Sequence, residues 1–295
     1  MRILVTGHDG QVARSLAERA SDHSTLELIF AARPDCDLSV PGSAAAAIEA
    51  ARPALVVNAA AYTAVDKAEQ EPDLARRINA EAAGEIAEAA AAVGAPLIHI
   101  STDYVFGGTG RAPMTEDEPI APLGAYGWTK AEGEELVRAA QPDHLILRTA
   151  WVYSPFGANF VKTMLRLARD REEIGVVDDQ RGSPTNALDL ADLILALAAR
   201  RLGGDSSGWG ATYHAAGAGE ASWAEVAADV MRVAAANGAP AATIRSIATS
   251  DFPTPARRPA WSVLDMGKLE ETFDWRLPEW RPSLARVVTR LLDEG

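Results

Sequence analysis

At 295 residues and 48% hydrophobic content, the chain is long enough for a substantial core, as one large domain or a main domain with a smaller one. A net charge of −13 and an isoelectric point near 4.9 argue against a general nucleic-acid binder, because phosphate-backbone affinity needs a basic face. A single cysteine, Cys36, excludes an internal disulfide, five scattered histidines give no metal-ligand cluster, and no apolar run has signal-peptide or membrane-spanning length, which points to a cytoplasmic globular protein.

Arg2–Thr6 is a short apolar run closed by Gly7, the pattern of a strand buried on both faces. Gly7-His8-Asp9-Gly10-Gln11-Val12-Ala13 follows, and helical spacing then runs to Ala20. Strand, glycine turn and helix in that order make a dinucleotide site. The first glycine permits the turn, and Gly10 lets backbone amides at the helix N-terminus approach a pyrophosphate. Ala13 stands where a third glycine often provides close helix packing.

Residues 26–32 read as the second strand. An acid at its end binds a ribose 2′-hydroxyl, whereas an arginine accommodates a 2′-phosphate. Ala31-Ala32-Arg33 offers only the arginine, which favours NADPH with NADH still open; the plainer reading of Arg33 is a solvated charge. Asp37-Leu38 is placed to border an adenine, unless Asp37 caps a turn. An alanine-rich helix over 43–52 ends at Pro53, and a third strand over 54–60 runs into Ala59-Ala60-Ala61-Tyr62-Thr63. Small residues there leave room for a flat cofactor against the backbone, with Asn58 bracing the loop.

A long alanine-rich helix over 73–93 leads to a fourth strand over 97–100. That strand delivers Ser101-Thr102-Asp103-Tyr104-Val105-Phe106 to its carboxyl end, where ligands sit in an open parallel sheet. After a Gly-, Pro- and acid-rich surface loop over 107–122 comes Tyr126-Gly127-Trp128-Thr129-Lys130. Residues four apart share one helix face, so the Lys130 ammonium is placed beside the Tyr126 phenol to ease its ionisation and make the tyrosine a usable proton donor.

Another apolar strand spans 144–149. The alternation of strand and helix predicts an α/β fold, a Rossmann-type doubly wound parallel sheet, with a smaller C-terminal α/β substrate lobe. Beyond Trp151 the texture turns polar, aromatic and glycine-bearing. A helix over 186–202 returns to the main layer, followed by a link over 203–210 and a short strand over 212–216. The last part holds a helix over 223–237, a strand-like 242–248, a proline-rich 252–259 and a final helix from Pro282. The expected division is a dinucleotide-binding domain, 1–151 plus 186–216, and a substrate-binding lobe, 152–185 plus 217–295, with substrate in the cleft between them.

The strings Gly7 to Val12, Val57-Asn58-Ala59-Ala60-Ala61, Thr63-Ala64-Val65-Asp66-Lys67-Ala68-Glu69, Ser101 to Phe106, Tyr126 to Lys130, Arg148-Thr149-Ala150-Trp151-Val152-Tyr153 and Gly182-Ser183-Pro184-Thr185 resemble the extended short-chain dehydrogenase/reductases, and within them the dTDP-4-dehydrorhamnose reductase branch. The resemblance implies hydride transfer from NAD(P)H to C4 of a dTDP-4-keto-6-deoxy-L-sugar. It gives Tyr126 the proton, Lys130 the cofactor ribose and the tyrosine's pKa, and Thr102 a hydrogen bond to the oxygen as charge develops. Gly7, Gly10, Gln11, Val12, Arg33, Asp37, Leu38, Ala59, Ala60, Ala61 and Tyr62 would line the cofactor. Tyr62 stands where many relatives have histidine.

Related dehydratases carry Thr-Asp-Glu where this chain has Thr102-Asp103-Tyr104, which implies ketone reduction without dehydration. Asp103, Tyr104, Trp151 and Asn159 are the implied substrate contacts. Some relatives bind magnesium through glutamates at a dimer interface, one of them on the first helix, where this chain has Ser15; a homodimer stays open and a metal link is disfavoured. Two alternatives remain open: a reductase of another 4-keto nucleotide sugar, and a non-catalytic dinucleotide-binding regulatory subunit.

Overall fold

The structure, a computed structural model, describes residues 1–23 and 25–294. Its first half is a succession of strands and helices: β1 (Arg2–Thr6), α1 (Gln11–Arg19), β2 (Glu27–Ala31), α2 (Ser43–Ala51), β3 (Leu55–Asn58), α3 (Val65–Ala68), α4 (Pro72–Arg76), α5 (Ala82–Val93), β4 (Leu97–Thr102), α6 (Ala125–Ala140) and β5 (His144–Thr149). The second half holds β6 (Val152–Tyr153), α7 (Phe160–Leu167), β7 (Glu173–Val177), β8 (Arg181–Gly182), β9 (Thr185–Asn186), α8 (Ala187–Leu202), β10 (Ala211–His214), β11 (Ala221–Ser222), α9 (Trp223–Ala236), β12 (Thr243–Ile247), β13 (Trp261–Ser262), α10 (Gly267–Phe273) and α11 (Trp280–Glu294).

Among the described residues six strands form one sheet in the order β10-β5-β4-β3-β1-β2, every neighbouring pair parallel. Both faces are covered, which is why these strands are apolar throughout rather than alternating. Val5, Leu145 and Leu147 face α1 and α8, packing with Leu16, Leu190 and Ile194. Their neighbours Leu4 and Ile146 point the other way, toward Ile48 of α2, Ile86 of α5 and Val137 of α6. A further cluster joins Tyr153, Val161 and Ile174 to Val230, Trp280 and Leu284, while Leu269 and Phe273 of α10 pack on the main sheet. Winding reverses between β1 and β3, so the connections from their carboxyl ends leave toward opposite faces and open the crevice in which doubly wound sheets hold ligands.

Element bounds differ from the sequence expectation in four places. The strand expected over 54–60 stops at Asn58, because the Ala59 and Ala60 amides turn to the Thr6 hydroxyl, each at 3.1 Å. The helix expected over 73–93 is interrupted by a π-helical turn, Arg77–Glu81. Residues 152–185, read without regular elements, contain α7, capped by the Asn159 carbonyl on the Lys162 amide, and β7, which pairs with β12. The final helix begins at Trp280, and Pro282 sits in its first turn, where a missing N–H breaks no helical bond.

The π-helical turn has a packing reason. It sets the Asn79 carbonyl against Gly133 of α6, and a Cβ built on Gly133 would lie 2.2 Å from that oxygen. Glycine here lets two helices touch backbone to backbone. Among the described residues no helix is long and apolar enough to cross a membrane.

Glycine inside a helix ordinarily costs about 1 kcal/mol relative to alanine, so Gly133→Ala would stabilise an exposed helix. Here the clash reverses the sign, and we expect a loss of about 1–3 kcal/mol in chemical denaturation, the range for overpacking.

Candidate active site

The glycine turn is built by backbone requirement. Gly7 has φ +83°, its amide donates to the Ala31 carbonyl at 2.7 Å, and a side chain there would press on Ala60. Gly10 opens α1 with nothing within 4 Å of where a Cβ would stand, so the first-turn amides of Gln11 and Val12 are approachable from the β1–β3 crevice. A cradle that a side chain would fill, at a helix N-terminus, fits the pyrophosphate of a dinucleotide. Ala59, Ala60, Ala61 and Tyr62 border the same crevice, each part-exposed. The Tyr62 hydroxyl donates to Glu71 at 2.7 Å.

Three proposed cofactor contacts are placed less directly. Arg33 is exposed beyond β2. Asp37 Oδ1 accepts from the Ser39 amide and hydroxyl at 2.9 and 2.7 Å, which holds its carboxyl below the usual range and makes it the turn cap that sequence reasoning had left open. Leu38 departs from expectation: its side chain packs in the core with Ile48 and Val56 rather than on a ligand. Gln11 presents its amide to the segment after β5. It donates to the Val152 carbonyl and accepts from Ser154 and Asn159.

Asn159 is the second departure. Its carbonyl caps α7 and its amide donates to Gln11, Ser154 and Phe156, so the side chain expected to meet substrate is occupied in tying α7 to the glycine turn.

The catalytic candidates meet at the carboxyl end of β4. Thr102 is the last residue of the strand and lies opposite Thr149 of β5. Tyr126 enters from the first turn of α6, whose leading amide at Ala125 is held by the Glu69 carboxylate at 2.7 Å, an anion favourably placed at a helix N-terminus. Gly127 lets α6 approach closely, since a Cβ there would lie 2.2 Å from the Tyr104 carbonyl. The Tyr104 and Tyr126 rings meet edge to face at 5.5 Å. Desolvation pushes the Tyr126 phenol up to about 12, while the neighbouring Thr102 hydroxyl draws it down.

Lys130 is the third departure. Its amine does not lie beside the phenol; it donates to the Ile100 carbonyl at 2.7 Å and stands 3.3 Å from His99 Nε2. The proton directions along this chain can be followed. Thr6 accepts two backbone amides and so gives its single proton to Asn58 Oδ1 at 2.8 Å. Asn58 Nδ2 then faces His99 Nδ1 at 3.0 Å, which leaves the histidine proton on Nε2, pointing at Lys130. A donor facing the amine, together with burial at 2% exposure, disfavours its charge, and burial lowers Lys130 to about 8. His99, 1% exposed, is held neutral, well below its ordinary range, by the same desolvation.

One turn on from Lys130, Glu134 forms a buried pair with Arg148 at 2.7 Å and accepts the Ser101 hydroxyl at 2.6 Å. Sequence reasoning missed His99 and Glu134. The signal for Glu134 was present, as it continues the Tyr126–Lys130 spacing along one helix face. Trp151, at φ +46°, stacks on Trp223 at 3.7 Å, with Gly182 making room for the indole, and the two rings wall a cavity of about 100 Å³ with Phe160 and Val226. Ser15 is wholly buried, and among the described residues no group of three or more His, Cys, Asp or Glu is placed to hold a metal ion.

A glycine turn at the switch point of a parallel sheet, with threonine, tyrosine and lysine gathered at the adjoining strand end, defines an oxidoreductase of the extended short-chain dehydrogenase/reductase type. The family described as RmlD substrate binding domain matches residues 1–292, and the chain belongs to it. It is 45% identical over 295 residues to a dTDP-4-dehydrorhamnose reductase of Sinorhizobium fredii, covering all of this chain and 99% of that one. It is 42% identical to the enzyme of that name from Escherichia coli K12, over 99% and 98% of the two chains. Among solved structures, a dTDP-4-dehydrorhamnose reductase of Clostridium acetobutylicum superposes with TM-score 0.91 at 38% identity, over 99% of this chain and 100% of that one. The Bacillus anthracis protein of that name, solved in complex with NADP, gives 0.90 at 35%, over 98% and 99%.

A buried amine that titrates at about 8 instead of its ordinary 10.5 destabilises the fold by about 3 kcal/mol while it is protonated in both states, that is, below about pH 8. We expect Lys130→Met to raise stability at pH 7 in urea denaturation. The gain should shrink as pH rises from about 8 toward 10.5, because the parent's lysine then sheds its proton on folding.

Proposed function

We propose that this chain reduces the C4 ketone of dTDP-4-dehydro-6-deoxy-L-mannose to dTDP-L-rhamnose, with NADPH and, less readily, NADH. Full-length relatives of that name at 45% and 42% identity support the substrate, and the NADP-bound structure of one relative supports the cofactor. The observation that carries the chemistry is the meeting of Tyr126 with Thr102 at the carboxyl end of β4, followed by Tyr104 where a dehydrating site needs a second acid.

Gly7, Gly10 and the amides of Gln11 and Val12 would hold the pyrophosphate, with Ala59 to Tyr62 along the crevice and Lys130 on the ribose. The bound dinucleotide supplies the hydride. Tyr126 supplies the proton: a phenol pushed up to about 12 stays protonated at neutral pH, as a donor must. Lys130, whose amine bonds the Ile100 carbonyl instead of standing beside the phenol, is kept for the cofactor ribose. Residues of 152–185 and 217–295 would carry the nucleotide end of the substrate. A charged sugar nucleotide does not cross a bilayer unaided, which favours a cytoplasmic site of action.

Steady-state oxidation of NADPH and NADH with the dTDP-keto sugar tests the assignment. Turnover with a different keto-sugar nucleotide, and none with this one, would sink it. In the same assay Tyr126→Phe is expected to lower kcat by about 10²- to 10⁴-fold, the usual worth of a positioned acid, while NADPH affinity measured by fluorescence stays near that of the parent.

A further inference from the structure

Thr102 has one hydroxyl proton, and of the two groups it can serve, the Tyr126 phenol and Asp103, an ionised carboxylate is the stronger acceptor. Thr102 Oγ1 donates to Asp103 Oδ1 at 2.9 Å and accepts the Tyr104 amide at 3.2 Å. A hydroxyl whose proton is committed to a carboxylate has only lone pairs left to offer. A ketone oxygen gathering negative charge needs the opposite, a donor. With Asp103 ionised, Thr102 is therefore polarised against the reduction. With Asp103 neutral the polarity reverses: the carboxyl O–H donates to Thr102 Oγ1, and the threonine proton is released for the ketone oxygen.

Burial shifts Asp103 toward its neutral form. Asp103 is 2% exposed, and its Oδ2 is buried without a hydrogen-bond partner. The titratable groups facing it are phenols, Tyr104 beside it and Tyr126 from α6, neither charged at neutral pH. From β13 comes the Ser262 hydroxyl, the largest influence toward ionisation, which itself donates to the Arg181 carbonyl at 3.4 Å. The charges beyond Tyr104, Arg258 and Asp66, are paired with each other at 2.8 Å. Burial pushes the Asp103 carboxyl up to about 6.

We propose that Asp103 is a positioning residue whose protonated form turns the Thr102 hydroxyl into the donor that holds the substrate oxygen. The Asp103 proton stays within the Asp103–Thr102 pair throughout, and the proton delivered to the ketone comes from Tyr126. The role rests on the reduction proposed above.

Two substitutions separate this role from packing. In Asp103→Asn the amide donates to Thr102 at every pH, whereas Asp103→Leu keeps the volume and donates nothing. For the parent, kcat/KM with saturating NADPH is expected to fall as pH rises above about 6, approaching tenfold per pH unit, because the donor form is lost. Asp103→Asn should be flat between pH 5 and 8. Asp103→Leu takes away the carboxylate that accepts the Thr102 proton, so it too should be flat between pH 5 and 8, with the KM for NADPH unchanged. A parent-like pH profile in either variant would overturn the proposal. A measurement without substrate stands beside these: the infrared carbonyl band of the protonated carboxyl, absent from Asp103→Asn, should titrate near pH 6 in the parent. Titration of that band at the ordinary 3.8 overturns the role whatever the protein reduces. A parent that shows the band near pH 6 but never turns over the dTDP-keto sugar refutes the substrate assignment instead.

Discussion

The buried ion pair between Glu134 and Arg148 is the contact on which the site's geometry depends. Both side chains are almost wholly enclosed, at 1% and 2% exposure, and each reaches further groups. Glu134 takes the Ser101 hydroxyl of β4 and Arg138 of its own helix; Arg148 lies over the Phe106 ring and reaches the Glu116 carbonyl. Glu116 in turn accepts the His214 amide at the end of β10. One pair thus fixes α6, β4, β5, β10 and the acidic loop relative to each other. An enclosed pair of this kind adds little net stability over an apolar replacement, but losing one member leaves an uncompensated charge worth about 3–5 kcal/mol. Its effect is to forbid other positions for α6, and so for Tyr126 and Lys130.

How much was legible in the sequence follows from how local each signal is. The strands of the main sheet, the glycine turn and α6 were readable because each is written in contiguous residues: apolar runs closed by glycine, then helical spacing. The family relationship was readable in Thr63 to Glu69 and Ser101 to Phe106 for the same reason. The orientations of Leu38, Asn159 and Lys130 were not. Each depends on partners far away in the chain, such as Val56 for Leu38, Gln11 for Asn159 and His99 for Lys130. The segment 152–185 was opaque because its elements are short and are completed by others: β7 pairs with β12 from 70 residues on, and β8 pairs with β11 and β13.

The carboxyl end of β4 gathers groups that folding alone would not choose. Burial raises the carboxyl of Asp103 to about 6 and lowers the amine of Lys130 to about 8, so two side chains that in water titrate far apart approach neutrality from opposite sides. Each shift costs stability, which apolar burial on both faces of the sheet offsets. Such pairs, displaced toward working pH by the same desolvation, are a common mark of a site built for proton transfer.

The hydrogen-bonded file from Thr6 through Asn58 and His99 to Lys130 carries a further consequence. Each member has one polarity because its neighbour does, beginning with the two amides that occupy the Thr6 oxygen. A change at one position therefore reverses or breaks the direction of every bond after it. An aspartate at 58, for instance, would present a second acceptor to His99 and move its proton to Nδ1, leaving a lone pair toward Lys130 and favouring the charged amine. A relative that departs at one of these four positions is expected to carry a matching change at the next.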